Sequence, residues 1–271
     1  HPVAHSFPTR RSSDLIGNVF EYNHVHDVGG TGITIYQVGD TWCSDNIIRY
    51  NYFHDIGDVD GNGGREQGID FHTHNANYDR NKNTGNEVYC NIVAHVDDLN
   101  DPWHSHGAGI STAGQKPDVG HTWRYRNNTV FDTKTSLIFG DWSAGDVGLE
   151  FRNGVLAEAT SRYDDHSYSS NEVTHEHVDI DYVLYSADEA GKWDWKNQYY
   201  DYAGWRAASG QDAHSPDPAD PLFANGSGAF AEAEDYQLAW NSPAIDAGED
   251  VGLTWDYAGN PIYGPPDIGA W

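Results

Sequence analysis

The sequence predicts an all-β chain: a parallel β-helix, or solenoid, with long loop insertions and a C-terminal cap. Three observations predict it. A motif of asparagine and β-branched residues recurs along roughly the first 160 residues, as in chains whose stacked units share one core. Within each copy, short runs alternate apolar and polar side chains at the two-residue period of a strand. The 271 residues include 29 Gly, 17 Tyr and 10 Trp but no Met, a balance poor in strong helix formers and rich in strand and turn residues.

Residues 1–15 are set aside first. The stretch HSFPTRRSSDL, His5 to Leu15, looks like a translated sequencing adapter, and no methionine starts the chain. It is expected to lie outside the fold, with the native start and any export signal missing. The repeats occupy residues 16–160. NVFEYNHVHDVGGTGITIYQ from Asn18 aligns with NIIRYNYFHDIG from Asn46, which resumes after an insertion as GIDFHTHN at Gly68. Further copies are NEVYCNIVAHVDD from Asn86 with GAGIST from Gly107, TWRYRNNTVFDT from Thr122 with SLIFGDW from Ser136, and a weaker VGLEFRNGVLAE from Val147.

The anchor asparagines Asn23, Asn51, Asn91, Asn128 and Asn153 are 28, 40, 37 and 25 residues apart. A core period of about 25 with insertions of about 12 to 15 residues suits a solenoid with its loops on one side. An asparagine at a sharp bend tolerates left-handed backbone angles and lends its amide to the next rung, so all five are read as architecture. His24, His26 and His54, with Asp27 and Asp55, recur in HVHD and FHD and are read as turn packing. Arg49, Arg124, Arg126 and Arg152 fall at related strand positions and are expected to form outward ion pairs.

Residues 161–271 are expected to hold the last strands and an aromatic-rich cap of the same domain. HVDIDYVLYS from His177 reads as one or two strands. Tyr163, Trp193, Trp195 and Trp205 are expected to cover the open end of the stack, with a sugar-stacking platform as the alternative. The chain closes on SGQDAHSPDPADPLFANG from Ser209, DYQLAWNSPAIDAGEDVG from Asp235 and DIGAW from Asp267.

These copies resemble the right-handed parallel β-helix repeat proteins, a superfamily that includes pectate-lyase-like and other polysaccharide-degrading enzymes. The closing run resembles the terminal segment of many secreted bacterial β-helix proteins. Together the resemblances imply a single-stranded right-handed β-helix, an extracellular or cell-surface location and a role on glycans. The superfamily also holds epimerases and non-catalytic adhesins, so activity has to be argued from a site. No arginine or lysine motif of pectate or alginate lyases stands in the expected rungs.

The formal charge of -27, from 42 acidic and 15 basic side chains, argues against nucleic acid and anionic membrane surfaces as partners. No run approaches the ~18 apolar residues of a membrane-spanning helix. Cys43 and Cys90 are too few for a disulfide framework and too isolated for a zinc site. A monomer binding a poly- or oligosaccharide is expected.

One strand carries more ionisable groups than architecture requires. Alternation from inward Ile69 and Phe71 turns Asp70, His72 and His74 outward, ~7 Å apart in successive steps. Thr34 and Tyr36 are expected in the rung below and Ser111 in the rung above, on a continuous exposed sheet. Flanking insertions add Arg65 and Glu66 on one side and Asp97, Asp98, Asp101, His104 and His106 on the other.

Glycoside hydrolysis needs an acid and a base or nucleophile, which Asp70 with Glu66, Asp97 or Asp98 would supply. β-Elimination needs a base and a cation facing the uronate carboxylate, for which His72, His104 and Arg65 are candidates. Tyr36, Trp103, His106 and Trp142 are the candidate substrate-binding residues. Asp58, Asp60 and Asn62 before Gly63 resemble the first half of a calcium loop. Its twelfth position is Ile69 instead of Glu, leaving Glu66 or Asp70 to close the shell. A transition-metal site from His72, His74 and His104 or His106 is the competing use of these imidazoles. The expected function is cleavage of a polysaccharide by hydrolysis or β-elimination; the alternative is a non-catalytic glycan-binding, adhesion or structural module.

Overall fold

The computed structural model of the protein describes residues 14–37, 41–57, 66–73, 84–97, 107–113, 123–140, 146–159, 161–165, 174–187, 192–196, 198–225 and 230–271. Strand β1 (Leu15–Ile16) begins within the stretch set aside above and pairs in parallel with β5 (Cys43–Ser44). The remaining strands come in sets of three, here called rungs. The first is β2 (Val19–Glu21), β3 (His24–Val28) and β4 (Ile33–Gln37); the second is β6 (Ile47–Arg49), β7 (Tyr52–Gly57) and β8 (Gln67–Thr73). The third is β9 (Glu87–Tyr89), β10 (Ile92–Asp97) and β11 (Ala108–Ala113); the fourth is β12 (Trp123–Arg126), β13 (Thr129–Thr133) and β14 (Thr135–Gly140). The fifth is β15 (Asp146–Arg152), β16 (Val155–Ala157) and β17 (Ser161–Asp165); the sixth is β18 (Thr174–Asp181), β19 (Leu184–Tyr185) and β20 (Trp193–Trp195).

Each rung gives one strand to each of three sheets, so neighbouring strands in a sheet are three apart in the chain. Sheet I holds β2, β6, β9, β12, β15 and β18; sheet II holds β3, β7, β10, β13, β16 and β19; sheet III holds β4, β8, β11, β14, β17 and β20. Their pairings are parallel, and β21 (Gln198–Tyr200) closes sheet III antiparallel to β20. The described chain is thus all-β in its main body, built from stacked parallel sheets of short strands without a closed barrel, an architecture compatible with a β-solenoid.

The bend between sheets I and II has a fixed chemistry. Tyr22, Tyr50, Cys90, Asn127, Asn153 and Tyr182 all stand there with φ between +49° and +56°. In the first four rungs the residue after the bend is the ladder asparagine. Asn23 donates from its backbone N and Nδ2 to Asn51 Oδ1 (3.0 and 2.9 Å), Asn51 does the same to Asn91 (3.1 and 2.9 Å), and Asn91 to Asn128 (3.1 and 3.0 Å). The anchors therefore form the expected ladder, but the left-handed angle belongs to the residue before each one. A second ladder runs from Asn18 to Asn46 to Asn86, each behind a left-handed Gly17, Asp45 or Gly85.

Asn153 is a correction. Thr129 pairs with Val155, so Asn153 matches Asn127 and the ladder position falls on Gly154. A Cβ there would meet the Phe151 ring at 2.2 Å, which leaves no room for an asparagine. Asn153 instead holds the returning C-terminal segment, donating from Nδ2 to Glu249 O (2.8 Å) and accepting from Glu249 N (2.9 Å).

Inward side chains stack into rows along the axis: Val25, Phe53, Val93, Val130, Leu156 and Tyr185 from sheet II, and Ile48, Val88, Tyr125, Phe151 and Ile180 from sheet I. At the corner leading to sheet III the chain comes too close for side chains. A Cβ on Gly68 would lie 2.2 Å from Val93 Cγ1, and one on Gly109 would lie 2.3 Å from Val130 Cγ1. Outward on sheet I, Arg49 pairs with Glu21, Arg124 with Glu87, Arg126 with Glu150, and Arg152 with Asp179 and Glu249, the ion pairs the sequence anticipates.

In its later rungs sheet II is covered on both faces, as parallel sheets usually are. Its outer positions in the later rungs are Ile92, Ala94, Val155, Ala157 and Leu184, packed against Phe223, Tyr236, Ile268 and Ala270 of the C-terminal segment. The end of the stack is closed by helix α1 (Tyr202–Ser209), capped by Asp201 Oδ1 on Gly204 N (2.7 Å) and by left-handed Gly210. Its Tyr202 and Trp205 join Trp193 and Trp195 in the core. These buried rings offer no face to a sugar, so the stacking-platform alternative falls for the three tryptophans. Beneath the helix, fully buried Asp212 accepts from Trp205 Nε1 (2.7 Å), Tyr185 Oη (2.7 Å) and Ser215 Oγ (2.6 Å), while burial pushes its carboxyl up to about 6. Among the described residues no helix is long and apolar enough to cross a membrane.

Candidate functional site

The outer face of sheet III is built in register by the alternation of β4, β8, β11 and β14. Thr34 aligns with Asp70, Asp70 with Ser111, and Ser111 with Ile138, while Tyr36 aligns with His72. The expected alignment of Thr34, Asp70 and Ser111 across rungs is therefore present, but its surroundings differ. Asp70 is only 4% exposed, Ser111 1% and Ile138 2%, so along this row the second to fourth rungs are buried instead of open. In the first rung Thr34 is exposed and Tyr36 is 37% exposed, its ring accessible beside the row.

The corner glycine explains how several polar groups gather here. Gly68 turns toward Val93 and Ile69 also faces the core, which interrupts strict alternation and leaves Gln67 and Asp70 near each other. With the Gln67 amide oriented so that its nitrogen faces the carboxylate, it donates to both Asp70 oxygens (2.8 and 3.2 Å), and its oxygen accepts from Ser111 Oγ (3.2 Å). Glu66 precedes them, 1% exposed. A buried ionised carboxylate is costly unless hydrogen-bonded; the amide bridge supplies part of that compensation and fixes the carboxylate plane. Asp70, bridged through Gln67 to the Ser111 hydroxyl of the next rung, is the described polar group of this candidate site.

Of the other sequence-derived candidates, His72 lies in β8 and Asp97 ends β10, with side chains outside the described residues. Arg65, His74, Asp98, Asp101, Trp103, His104, His106 and Trp142, and the calcium-loop residues Asp58, Asp60 and Asn62, lie wholly outside them. Cys43 and Cys90 are free, buried thiols, with Cys43 pushed up to about 11 by burial.

Two further features escape the sequence reading. The first is a cleft of about 320 Å³ between the bend residues Cys90 and Asn127 and the C-terminal segment, with Asp246, Asp256, Asp267, Tyr263 and Trp271 in its wall. Burial holds the Asp267 carboxyl above the usual range, against the hydrogen bond it accepts from Asp246 N. No periodic signal marks this cleft, because the segment that builds it has no repeat.

The second is a histidine cluster on the outer face of sheet II in the first two rungs. His24 Nε2 lies 2.6 Å from His54 Nε2, and the His26 and His54 rings stack 10° from parallel with centroids 5.2 Å apart. His26 Nδ1 meets Asp27 Oδ2 and His54 Nδ1 meets Asp55 Oδ2, each at 2.7 Å. Tyr52 stacks on both His24 and His54. Burial, together with His54 and His26, holds the His24 imidazole below its usual range. HVHD and FHD lie within strands β3 and β7 and not in turns; Asp27 and Asp55 carry φ of +53° and +50° inside those strands, and the imidazoles converge across rungs. The cue was His-x-His on one strand face above a histidine at the same position one rung later. Among the described residues no three His, Cys, Asp or Glu side chains converge as a metal centre.

No known protein-family model matches the chain, and no curated protein matches it as a relative.

Proposed function

We propose that the chain is a right-handed parallel β-helix that cleaves a polysaccharide outside the cell, by hydrolysis or β-elimination, at a site on sheet III centred on Asp70. The observation that carries this reading is the buried carboxylate of Asp70, 4% exposed and bridged by Gln67 to Ser111. Its neighbours in the row are Thr34, Ser111 and Ile138, so the stack does not need a charge there. The handedness is supported by the strong preference of parallel crossovers for the right hand. Rungs step by about 4.8 Å along one axis, which suits a chain-like substrate with subsites in a line, and Tyr36 offers a ring to a sugar one rung away.

In this reading a hydrolase uses Asp70 with Glu66, Asp97 or Asp98 as its carboxyl pair. A lyase uses His72 or His104 as base and Arg65 or calcium against the uronate, with Asp58, Asp60 and Asn62 as calcium ligands. The net charge of -27 favours neutral glycans, or acidic ones with calcium between them and the protein.

The burial of Ser111 and Ile138 beside Asp70 favours a second reading, a non-catalytic glycan-binding or structural module with no open groove. The two are separated by incubating the full chain with neutral and uronic polysaccharides, with and without calcium. New reducing ends identify hydrolysis, and ends accompanied by unsaturated-product absorbance identify elimination. Retention on a glycan with no product, or neither, rejects the enzyme reading.

A further inference from the structure

The outer face of sheet II changes character along the stack. In the third to sixth rungs its positions are Ile92 and Ala94, Thr129 and Phe131, Val155 and Ala157, and Leu184. In the first two they are His24 and His26, then Tyr52 and His54. The fold fills these positions with apolar or small residues wherever the C-terminal segment covers them. The first two rungs depart from that pattern by placing three imidazoles together, and both His24 and His26 reach solvent.

The tautomers follow from the hydrogen bonds. Asp55 Oδ2, 2.7 Å from His54 Nδ1, keeps the proton on that nitrogen, so His54 Nε2 presents a lone pair. His24 Nε2, 2.6 Å away, must then carry the proton between them. Two imidazole nitrogens aimed at one point, one of them oriented by a carboxylate on its far nitrogen, is the donor arrangement that metal-binding histidines use. Imidazole nitrogen selects the later first-row divalent ions over calcium or magnesium, which prefer oxygen. Asp27, Asp55, Glu232 and Glu234 surround the pair with negative charge, which favours a cation.

We propose that His24 and His54 form a binding site for a divalent ion of the nickel, copper and zinc group, the metal taking the place of the shared proton between their Nε2 atoms. Binding forms two metal–nitrogen bonds. The proton leaves His24 Nε2 and returns through solvent to His24 Nδ1, so both imidazoles stay neutral. The nitrogens separate from 2.6 Å to the spacing set by bonds of about 2.0–2.1 Å. Water completes the shell, since no third side chain among the described residues converges on the pair. The site is independent of the sheet III reading, and its metal does not take part in the cleavage proposed above.

The test is calorimetric titration of zinc chloride into the full chain, freed of metal by a chelator, with His24→Ala, His54→Ala and Asp55→Asn alongside. The wild type is expected to bind one more equivalent than His24→Ala or His54→Ala, and Asp55→Asn to keep that equivalent at about 10-fold to 100-fold weaker affinity. His24 is exposed, so His24→Ala keeps the fold and decides the matter even if His54→Ala does not. Copper(II) on the wild type should show nitrogen couplings that His24→Ala reduces. Equal zinc stoichiometry and affinity in wild type and His24→Ala would overturn the proposal.

Discussion

Replacing Asn91 by alanine tests the asparagine ladder where it is most deeply buried. Asn91 Oδ1 accepts from Asn51 N (3.1 Å) and Asn51 Nδ2 (2.9 Å), while its Nδ2 donates to Ile48 O (2.9 Å) and Asn128 Oδ1 (3.0 Å). Asn51 and Ile48 are almost fully buried, so Asn91→Ala leaves the Asn51 N–H without water or partner and strips the amide bonds from Ile48 O and Asn128 Oδ1. At about 1–3 kcal/mol for the orphaned group and about 0.5–1.5 kcal/mol for each of the two other bonds, the loss is about 2–6 kcal/mol. Asn23→Ala removes the half-buried end of the same ladder, where water replaces the amide, and should cost no more than about 1.5 kcal/mol. Asn91→Asp is expected to fail as a rescue, because it keeps the acceptor for Asn51 but turns a lone pair toward Ile48 O and Asn128 Oδ1. The assay is urea unfolding of each variant, paired with hydrogen exchange of residues 47–57, because a stacked array need not unfold as one unit. If Asn91→Ala costs no more than Asn23→Ala, the ladder does not hold the rungs together in the way described.

Other outcomes follow from the same geometry. Asp212 binds its proton more tightly folded, at about 6, than its ordinary 3.8. Its contribution is therefore intact below pH ~4 and lost as pH rises through ~6, a loss of about 3 kcal/mol. Urea midpoints should fall more between pH 4 and pH 7 in the wild type than in Asp212→Asn, and parallel profiles would contradict this. Gly68→Ala, whose Cβ would press on Val93 Cγ1 at 2.2 Å, should destabilise by about 1–3 kcal/mol or more. Gly30→Ala, with nothing within 4 Å, should stay within about 1 kcal/mol of wild type; similar melting temperatures for the two would refute the close corner.

The repeat was legible because burial imposes a period. Phe53, Val93 and Val130 occupy one inward row, and a sequence that repeats its rungs must repeat such residues. The arginine pairs were legible for the same reason, since Arg126 and Arg152 sit at equivalent outward positions. Exact bend chemistry was harder to read. Asn153 looks like another anchor, yet a one-residue shift puts Gly154 in the ladder and Asn153 in the left-handed bend. The corner glycines were visible in GITIYQ, GIDF and GAGIST, but only their approach to Phe53, Val93 and Val130 gives the reason.

Site chemistry was legible along strands and not across them. Alternation put Asp70 outward and paired it with Thr34 and Ser111, because register follows from period. It did not anticipate burial, which depends on what lies over a face and carries no periodic mark. The His24 and His54 contact was missed because it is a diagonal between rungs 30 residues apart, and because recurrence made both residues look purely architectural. Within the stretch expected as an aromatic-rich C-terminal cap, α1 closes the end of the stack, while Phe223 and Tyr236 run back along sheet II.

Whether Asp70 serves chemistry or architecture is measured by comparing wild type and Asp70→Asn on one polysaccharide panel, with melting temperature recorded for both. Asn preserves shape and an acceptor for Gln67 while removing the charge. With Asp70 in a chemical role, the wild type releases products from at least one glycan, Asp70→Asn loses about 100-fold or more of that rate, and both proteins melt at similar temperatures. Undiminished cleavage by Asp70→Asn, or no cleavage by the wild type across the panel, would contradict a chemical role for Asp70.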